Sequence, residues 1–208
     1  MKALAPEFYD RPVLEVARDL IGCTVEHAGT AGVIVETEAY HESEPACHAF
    51  VGLTPRTRPL FGPPGRAYVY RSYGIHALFN AVCEAEGVGA AVLIRALEPT
   101  VGLAEMRLRR WGDAREEPIR GRGRSRDEDL CSGPGKLSQA LGISLAENDS
   151  DLETGPIRIG PRAGKWLEPK LLAGQRIGIT RAVELRWRFA AAANRNVSRP
   201  WPPATSAL

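Results

Sequence analysis

Glu36, Glu38 and Tyr40 fall at every second position of the segment Val33 to Tyr40, VIVETEAY. Strand alternation places the two acids and the phenol on one face, with Val33, Val35, Thr37 and Ala39 on the other. Two acids and an aromatic on one edge suggest a site, since a carboxylate is able to take a proton from water or offset a positive charge. The same pattern also describes a sheet edge kept solvated by acidic residues. Other candidate groups follow closely: His48, the tyrosine-rich AYVYRSYG (Ala67 to Gly74), Asn80, and Arg95 within AVLIRALEP (Ala91 to Pro99). A carboxylate, a histidine, tyrosines, an amide and an arginine on short strands are able to hold a flat ligand with polar edges.

Each of these residues also has a plainer role. Alternation does not separate Glu36 from Glu38 as the acid. A lone histidine such as His48 is common in cores and on surfaces, Tyr68 reads as packing, and Arg95 at the end of an apolar run is suited to a structural ion pair. Cys131 beside Ser132 resembles a nucleophile only superficially, because no histidine spacing supports it.

These groups need short strands to carry them. Val13 to Ile21 has apolar residues at helical spacing and Gly22 as a stop. Tyr68 and Tyr70 share one face of a hairpin strand, Val69 and Arg71 the other, and Leu78, Asn80 and Val82 alternate on its return, which puts Tyr73 at the tip. Ala90 to Ala96 reads as a buried strand. Pro99-Thr100 then predicts a helix start, running to about Trp111 with Val101, Ala104, Leu108 and Trp111 on one side. Gly112 to Asp129 reads as a mobile loop. Ser132 to Lys136 opens a helix through Leu141 that Gly142 closes, and its exposed start with Lys136 is suited to a phosphate. Between Pro156 and Phe189 the segments PIRIG, RIGIT and ELRWRF alternate as antiparallel strands, and residues 199 to 208 fray. The expectation is one α+β domain over residues 1–208, with a curved, mostly antiparallel sheet flanked by helices and a protruding hairpin.

The chain has 208 residues, 44% of them apolar, which is enough core to fold without staples. Its four cysteines form no C-x-x-C pair, which argues against a zinc ribbon or an iron–sulfur loop. No apolar run approaches the roughly 20 residues needed to span a bilayer, so a soluble protein of the cytoplasm is expected. Net charge is only +2, but 23 of the 27 basic residues are arginine, which grips phosphate in a planar, bidentate way. A genome rich in G and C gives the same bias.

Six blocks in order, VETEAY, AxH, TPRTR, YVYxxYG, LIRALEP and LCSGPGKLxQAL, span Gly32 to Ile143. In these blocks the chain resembles the alkyladenine DNA glycosylase family, the 3-methyladenine DNA glycosylases of the mammalian type. The resemblance implies a monofunctional enzyme that flips a damaged purine out of double-stranded DNA and hydrolyses its N-glycosidic bond, with no metal or redox cofactor. It implies that Glu38 is the general base for water, that Tyr40, His48 and Tyr70 hold the flipped base, and that Tyr73 fills the gap left in the duplex. Asn80 then lies beneath the minor-groove edge of the purine, and Arg95 near the flipped nucleotide and its backbone. A monomer, nucleoid-associated if the source is bacterial, suits such an enzyme.

One departure is the run after Arg188-Phe189, where Ala190 to Ala193 replace the bulkier residues usual in that family. This predicts a roomier pocket wall near Val197 and Ser198 and leaves the lesion range open. Two other classes remain compatible with the residues. A catalytically silent damaged-DNA binding protein keeps the tyrosines and arginines but has no need of Glu38. A hydrolase of small nucleosides needs the pocket but not a wedge at Tyr73.

Overall fold

The acidic segment lies inside a twelve-residue strand, Thr30–His41, and not at a sheet edge. The computed structural model describes residues 1–112 and 126–201. In chain order its main elements are α1 (Pro6–Tyr9), α2 (Val13–Asp19), β1 (Thr24–His27), β2 (Thr30–His41), β3 (Ala67–Ser72), β4 (His76–Val82) and β5 (Ala90–Val101). There follow α3 (Leu103–Trp111), α4 (Pro134–Leu141), β6 (Arg158–Gly160), β7 (Leu171–Gly174) and β8 (Arg188–Ala191).

The eight strands form one sheet in the order β3-β4-β5-β2-β1-β6, with β8 paired to both β2 and β7. Every pairing is antiparallel. Strand β2 pairs with β5 along its length, while its other side is taken first by β1 and then, at Glu36 to Glu38, by β8. Both glutamates are therefore fully buried, which rules out a solvated edge. The fold is α+β with a mostly antiparallel sheet, as expected.

Alternation sorts neighbouring residues onto two faces. Ala39, Val69 and Val92 join a large apolar cluster with Val16 of α2, with Leu20 and Ile21 just after it, and with Leu137 and Leu141 of α4. Each large aliphatic side chain buried there contributes about 1.5–3 kcal/mol. Tyr40, Tyr68, Tyr70 and Ala91 lie on the other face in a smaller cluster with Cys47, Ala49 and Leu60. The large face holds the sheet rigid, and the small face carries aromatic rings toward a cavity.

Three local expectations need correction. Strand β5 continues through Pro99 to Val101, so the helix begins at Leu103 and not at Pro99. Pro99 sits opposite Gly32 beside a register shift, where the missing N–H disrupts no regular ladder. The turn into α3 is made by Gly102, whose positive φ (73°) brings a hypothetical Cβ to 2.7 Å from the Gly29 carbonyl oxygen. The buried face of α3 is carried by Met106, whereas Leu108 and Val101 are exposed.

RIGIT is not a strand, and only Arg188-Phe189 of ELRWRF joins one. The Ile177 N–H goes to a side chain and not to a ladder, so periodicity misleads there. Within the stretch expected to fray, Trp201 Nε1 donates to the Val197 carbonyl at 3.0 Å. The expected loop across residues 113–125 and the end of the chain beyond 201 lie outside the described residues. No helix among the described residues is long and apolar enough to cross a membrane.

Candidate active site

The ladder between β2 and β5 is broken by shifts on either side of Glu36, and Arg95 has no Cα partner in it. Such bulges re-aim side chains. Here Arg95 swings toward both acids, with Nε 2.8 Å from Glu36 Oε1 and Nη1 3.2 Å from Glu38 Oε2. Glu36 also accepts from Arg188 Nε at 2.7 Å, Ser198 Oγ at 2.8 Å and the Ser198 N–H at 2.7 Å. Three of these four donors converge on Oε1, and the Ser198 N–H alone meets Oε2.

Glu38 has three donors instead of four. Its Oε1 accepts from the Ile177 N–H at 2.7 Å, and its Oε2 from the Tyr40 hydroxyl at 2.8 Å and from Arg95. One acceptor position on Oε1 remains unused among the described residues. Burial raises the Glu38 pKa above the usual carboxylate range, against the opposing pull of Arg95, the Ile177 amide and Tyr40. Burial, reinforced by the Glu38 charge, also raises the Tyr40 pKa, so that phenol stays a donor.

Tyr40, Arg95 and Ile177 separate Glu38 from a cavity of about 770 Å³, and all three line it. That volume lies in the usual range for small-molecule sites. His48, Tyr68, Tyr70, Asn80, Leu93 and Arg56 form other walls. Tyr68 and Tyr70 stack with centroids 5.4 Å apart, and His48 meets Tyr70 edge-on at 4.6 Å. Burial, followed by the charges of Tyr68 and Glu38, pushes the Tyr70 phenol up to about 12.

His48 Nε2 faces Arg56 Nη2 at 3.4 Å. Arginine only donates, so Nε2 is the acceptor and the proton lies on Nδ1, directed to the Tyr68 hydroxyl at 3.1 Å. Burial and Arg56 both lower the His48 pKa, which favours this neutral form. Asn80 is buried, and its Nδ2 donates to the Tyr68 carbonyl at 2.9 Å and to the Leu78 carbonyl at 3.4 Å. This fixes the amide so that Oδ1 is left as its free acceptor.

The rim carries Tyr73, 87% exposed, in a turn where both it and Gly74 have positive φ (49° and 72°). Such a backbone is uncommon for a bulky residue and stores strain at an exposed aromatic tip. The return strand packs on the start of α4, where a Cβ on Gly135 would lie 2.8 Å from the His76 ring. Glycine is needed there for space. The α4 start is half-buried, not fully exposed as its sequence predicts, and Lys136 Nζ donates to Ser132 Oγ at 3.0 Å. Lys136 and Arg95 also border a second, polar cleft with Arg126, Arg195 and Arg199.

Tyr40, His48, Tyr70, Tyr73, Asn80, Arg95 and Lys136 therefore meet at one cavity, with Glu38 behind its wall, whereas Glu36 and Cys131 do not line it. Sequence reasoning missed the Ile177 amide, the arginines at 176 and 188 and the polar part played by Tyr68, and it named Ser198 only as part of a pocket wall. Arg56 was visible only as part of the TPRTR block. The alanine run lies elsewhere than expected: Ala190 and Ala191 are buried strand residues between β2 and β7, and they do not line the cavity. Among the described residues, no group of three or more His, Cys, Asp and Glu side chains is arranged to hold a metal ion.

An aromatic-lined cavity with a buried carboxylate behind its wall has the shape and groups to hold a flat ligand. Comparison with known proteins makes the class specific. The profile of the Methylpurine-DNA glycosylase family matches residues 7–195. A Rhodopseudomonas palustris protein (strain ATCC BAA-98 / CGA009) is 52% identical over 195 residues, covering 94% of this chain and 87% of its own length. A Bradyrhizobium diazoefficiens protein is 51% identical over 201 residues, with 97% and 93% covered. One from Methanoculleus marisnigri is 45% identical over 201 residues, with 94% and 98% covered. All three bear the name "Putative 3-methyladenine DNA glycosylase". The chain belongs to the Methylpurine-DNA glycosylase family.

Proposed function

We propose that this protein excises alkylated or deaminated purines from double-stranded DNA as a monofunctional glycosylase, acting as a monomeric single domain in the cytoplasm or nucleoid. The observation that carries the reading is the buried Glu38 carboxylate, with one acceptor position unused, directly behind the aromatic cavity. The damaged nucleotide rotates out of the helix, and its base enters between Tyr40, His48 and Tyr70. Extrusion costs a few kcal/mol of stacking and pairing, offset by these rings and by Tyr73 in the vacated space. Arg95 and Lys136 meet the nucleotide and its backbone from the rim.

Bond breaking leaves the electron pair on the purine and a positive, oxocarbenium-like sugar. The Glu38 charge stabilises that sugar and takes a proton as water adds to the anomeric carbon. The product is an abasic site. Ionised Glu38 is required, so its raised pKa places the acidic limb of the rate profile above the range of an ordinary glutamate.

The test incubates the protein with duplexes that each carry one lesion (3-methyladenine, 7-methylguanine, hypoxanthine or ethenoadenine) and then cleaves abasic sites with alkali. Strand cleavage with at least one lesion, dependent on Glu38, is expected. Binding without cleavage on any of them identifies a silent binder, and activity on free nucleosides identifies the small-molecule hydrolase. Affinity should fall with added salt as phosphate contacts release counterions.

A further inference from the structure

Arg176 lies outside the cavity wall, yet it touches both of the groups that hold Glu38 on its unshared side. Its side chain is completely buried. Nη1 donates to Glu44 Oε1 and to the Ala39 carbonyl, at 2.6 Å and 3.0 Å. Nη2 donates to Glu44 Oε2 at 3.0 Å. The guanidinium carbon lies 4.7 Å from the centre of the Tyr40 ring and 5.4 Å from that of Trp187. Tyr40 is the phenol on Glu38 Oε2, and the peptide that Arg176 shares with Ile177 supplies the N–H on Glu38 Oε1.

Among the described residues, no hydrogen bond between main-chain groups involves residues 175–181. No ladder therefore orients the Ile177 amide, and the Arg176 side chain is the anchor next to it. Only a planar guanidinium is able to lie against Tyr40 while gripping Glu44 with two nitrogens. The pair is not arranged for maximal stability, because Arg176 Nε is buried without a partner. Apolar residues often replace such buried pairs without loss of stability, so a role in geometry accounts better for this one.

We propose that Arg176, clamped by Glu44, is a positioning residue that aims the Glu38 carboxylate through Tyr40 and the Ile177 amide. The inference rests on Glu38 being the base. Arg176 itself touches no reacting atom.

The test measures single-turnover excision against pH for Arg176→Lys and Glu44→Gln in the full chain, together with affinity for the same duplex and melting temperature. Misaligning a reacting group by about 1 Å costs up to about 10²-fold, so a rate loss of at least about 10-fold with unchanged affinity is expected. The acidic limb should also move to higher pH in both variants, because the Ile177 amide and Tyr40 favour ionised Glu38. The groups facing Glu38 are Tyr40 and Glu36 on β2, Arg95 on β5, Tyr70 on β3 and Arg176 itself. Arg188 on β8 reaches them through Glu36.

Charge alone predicts something different. Arg176→Lys keeps the cation, and removing the Glu44 charge would move the limb to lower pH. An upward shift in Glu44→Gln therefore reports geometry, and this variant still tests the idea if Arg176→Lys does not fold. A fixed limb overturns the proposal, whether the rate is unchanged or falls only in step with the folded fraction. If Glu38→Gln itself keeps full turnover, the reading of Glu38 fails, and the inference fails with it.

Discussion

Glu36 and Glu38 stand one residue apart on the same strand, share Arg95 and are equally sealed from water, yet their surroundings differ. Around Glu36, two arginines and both donors of Ser198 surround the carboxylate, joining β2, β5, β8 and the segment after β8. Around Glu38 there is a single arginine, a phenol and an amide, and the cavity begins just beyond them. Burial alone therefore does not mark a functional acid. The groups around each carboxylate, and the cavity just beyond those of Glu38, separate the two.

The sharpest way to break this contrast is to make each acid a glutamine. Glu38→Gln should lose about 10²- to 10⁴-fold in excision while still binding lesion-bearing duplex, as measured under single turnover. Its stability should move the other way from its activity. The folded pKa of Glu38 is raised, so its contribution to stability is present below the ordinary glutamate range and is lost as pH rises through the raised value. The variant escapes that loss, and its melting temperature should gain on the parent's as pH climbs toward neutrality. Retained turnover here, with Glu36→Gln inactive though folded, would exchange the two roles.

Glu36→Gln tests the other half. Losing one member of a buried ionic cluster leaves Arg95 and Arg188 undercompensated, at a cost of about 3–5 kcal/mol. Denaturant unfolding should show that loss at neutral pH. A variant as stable as the parent would mean that Glu36 is not the hub its contacts describe.

The sequence makes one half of this contrast legible and hides the other. Alternation in VETEAY correctly puts both acids on one face, and the two-residue period of YVY correctly separates Tyr68 and Tyr70 from Val69. Both patterns depend on neighbours within one strand. What distinguishes the acids depends on Arg188, Ser198 and Ile177, which lie more than a hundred residues away and arrive through tertiary pairing. RIGIT also alternates like a strand, but its amide is drawn to a buried carboxylate, a demand that no local pattern records. Pro99 looks like a helix start because its fixed φ suits both a first helical turn and an irregular stretch of strand. Only the partner Gly32 decides between them.

Beyond the two acids, the comparison extends to the rim, where the proposed role is on DNA and not on the bond. Tyr73→Ser should weaken capture of the flipped state by on the order of 10-fold, given about 1–3 kcal/mol per stacked base. The defect should shrink opposite a mismatch, where less pairing is broken. Equal defects on paired and mispaired lesions, measured by excision at limiting enzyme, would remove Tyr73 from the wedge role. The Glu38-dependent step should be untouched once the base is bound.

The smallest expected effect concerns how normal guanine is refused, and Asn80 offers a way to separate space from polarity. Guanine presents an exocyclic N2 amino donor on its minor-groove edge that hypoxanthine lacks. The amide nitrogen of Asn80, a residue lining the cavity, is already committed to two backbone carbonyls, so the group left free for a ligand is the acceptor Oδ1. An acceptor does not repel an amino donor, so refusal at this position has to come from lack of room. Asn80→Ser shortens the side chain and should raise excision of guanine opposite a mismatch relative to hypoxanthine, even if both rates fall. Relieving about 1 kcal/mol of clash corresponds to roughly a five-fold change in that ratio. Asn80→Asp keeps the size and should leave the ratio unchanged. If neither substitution changes the ratio, the sieve lies elsewhere on the wall. The alanine run at 190–193 does not reach the cavity, so the segment Ile177 to Arg181, which lines it opposite the strands, becomes the place to look.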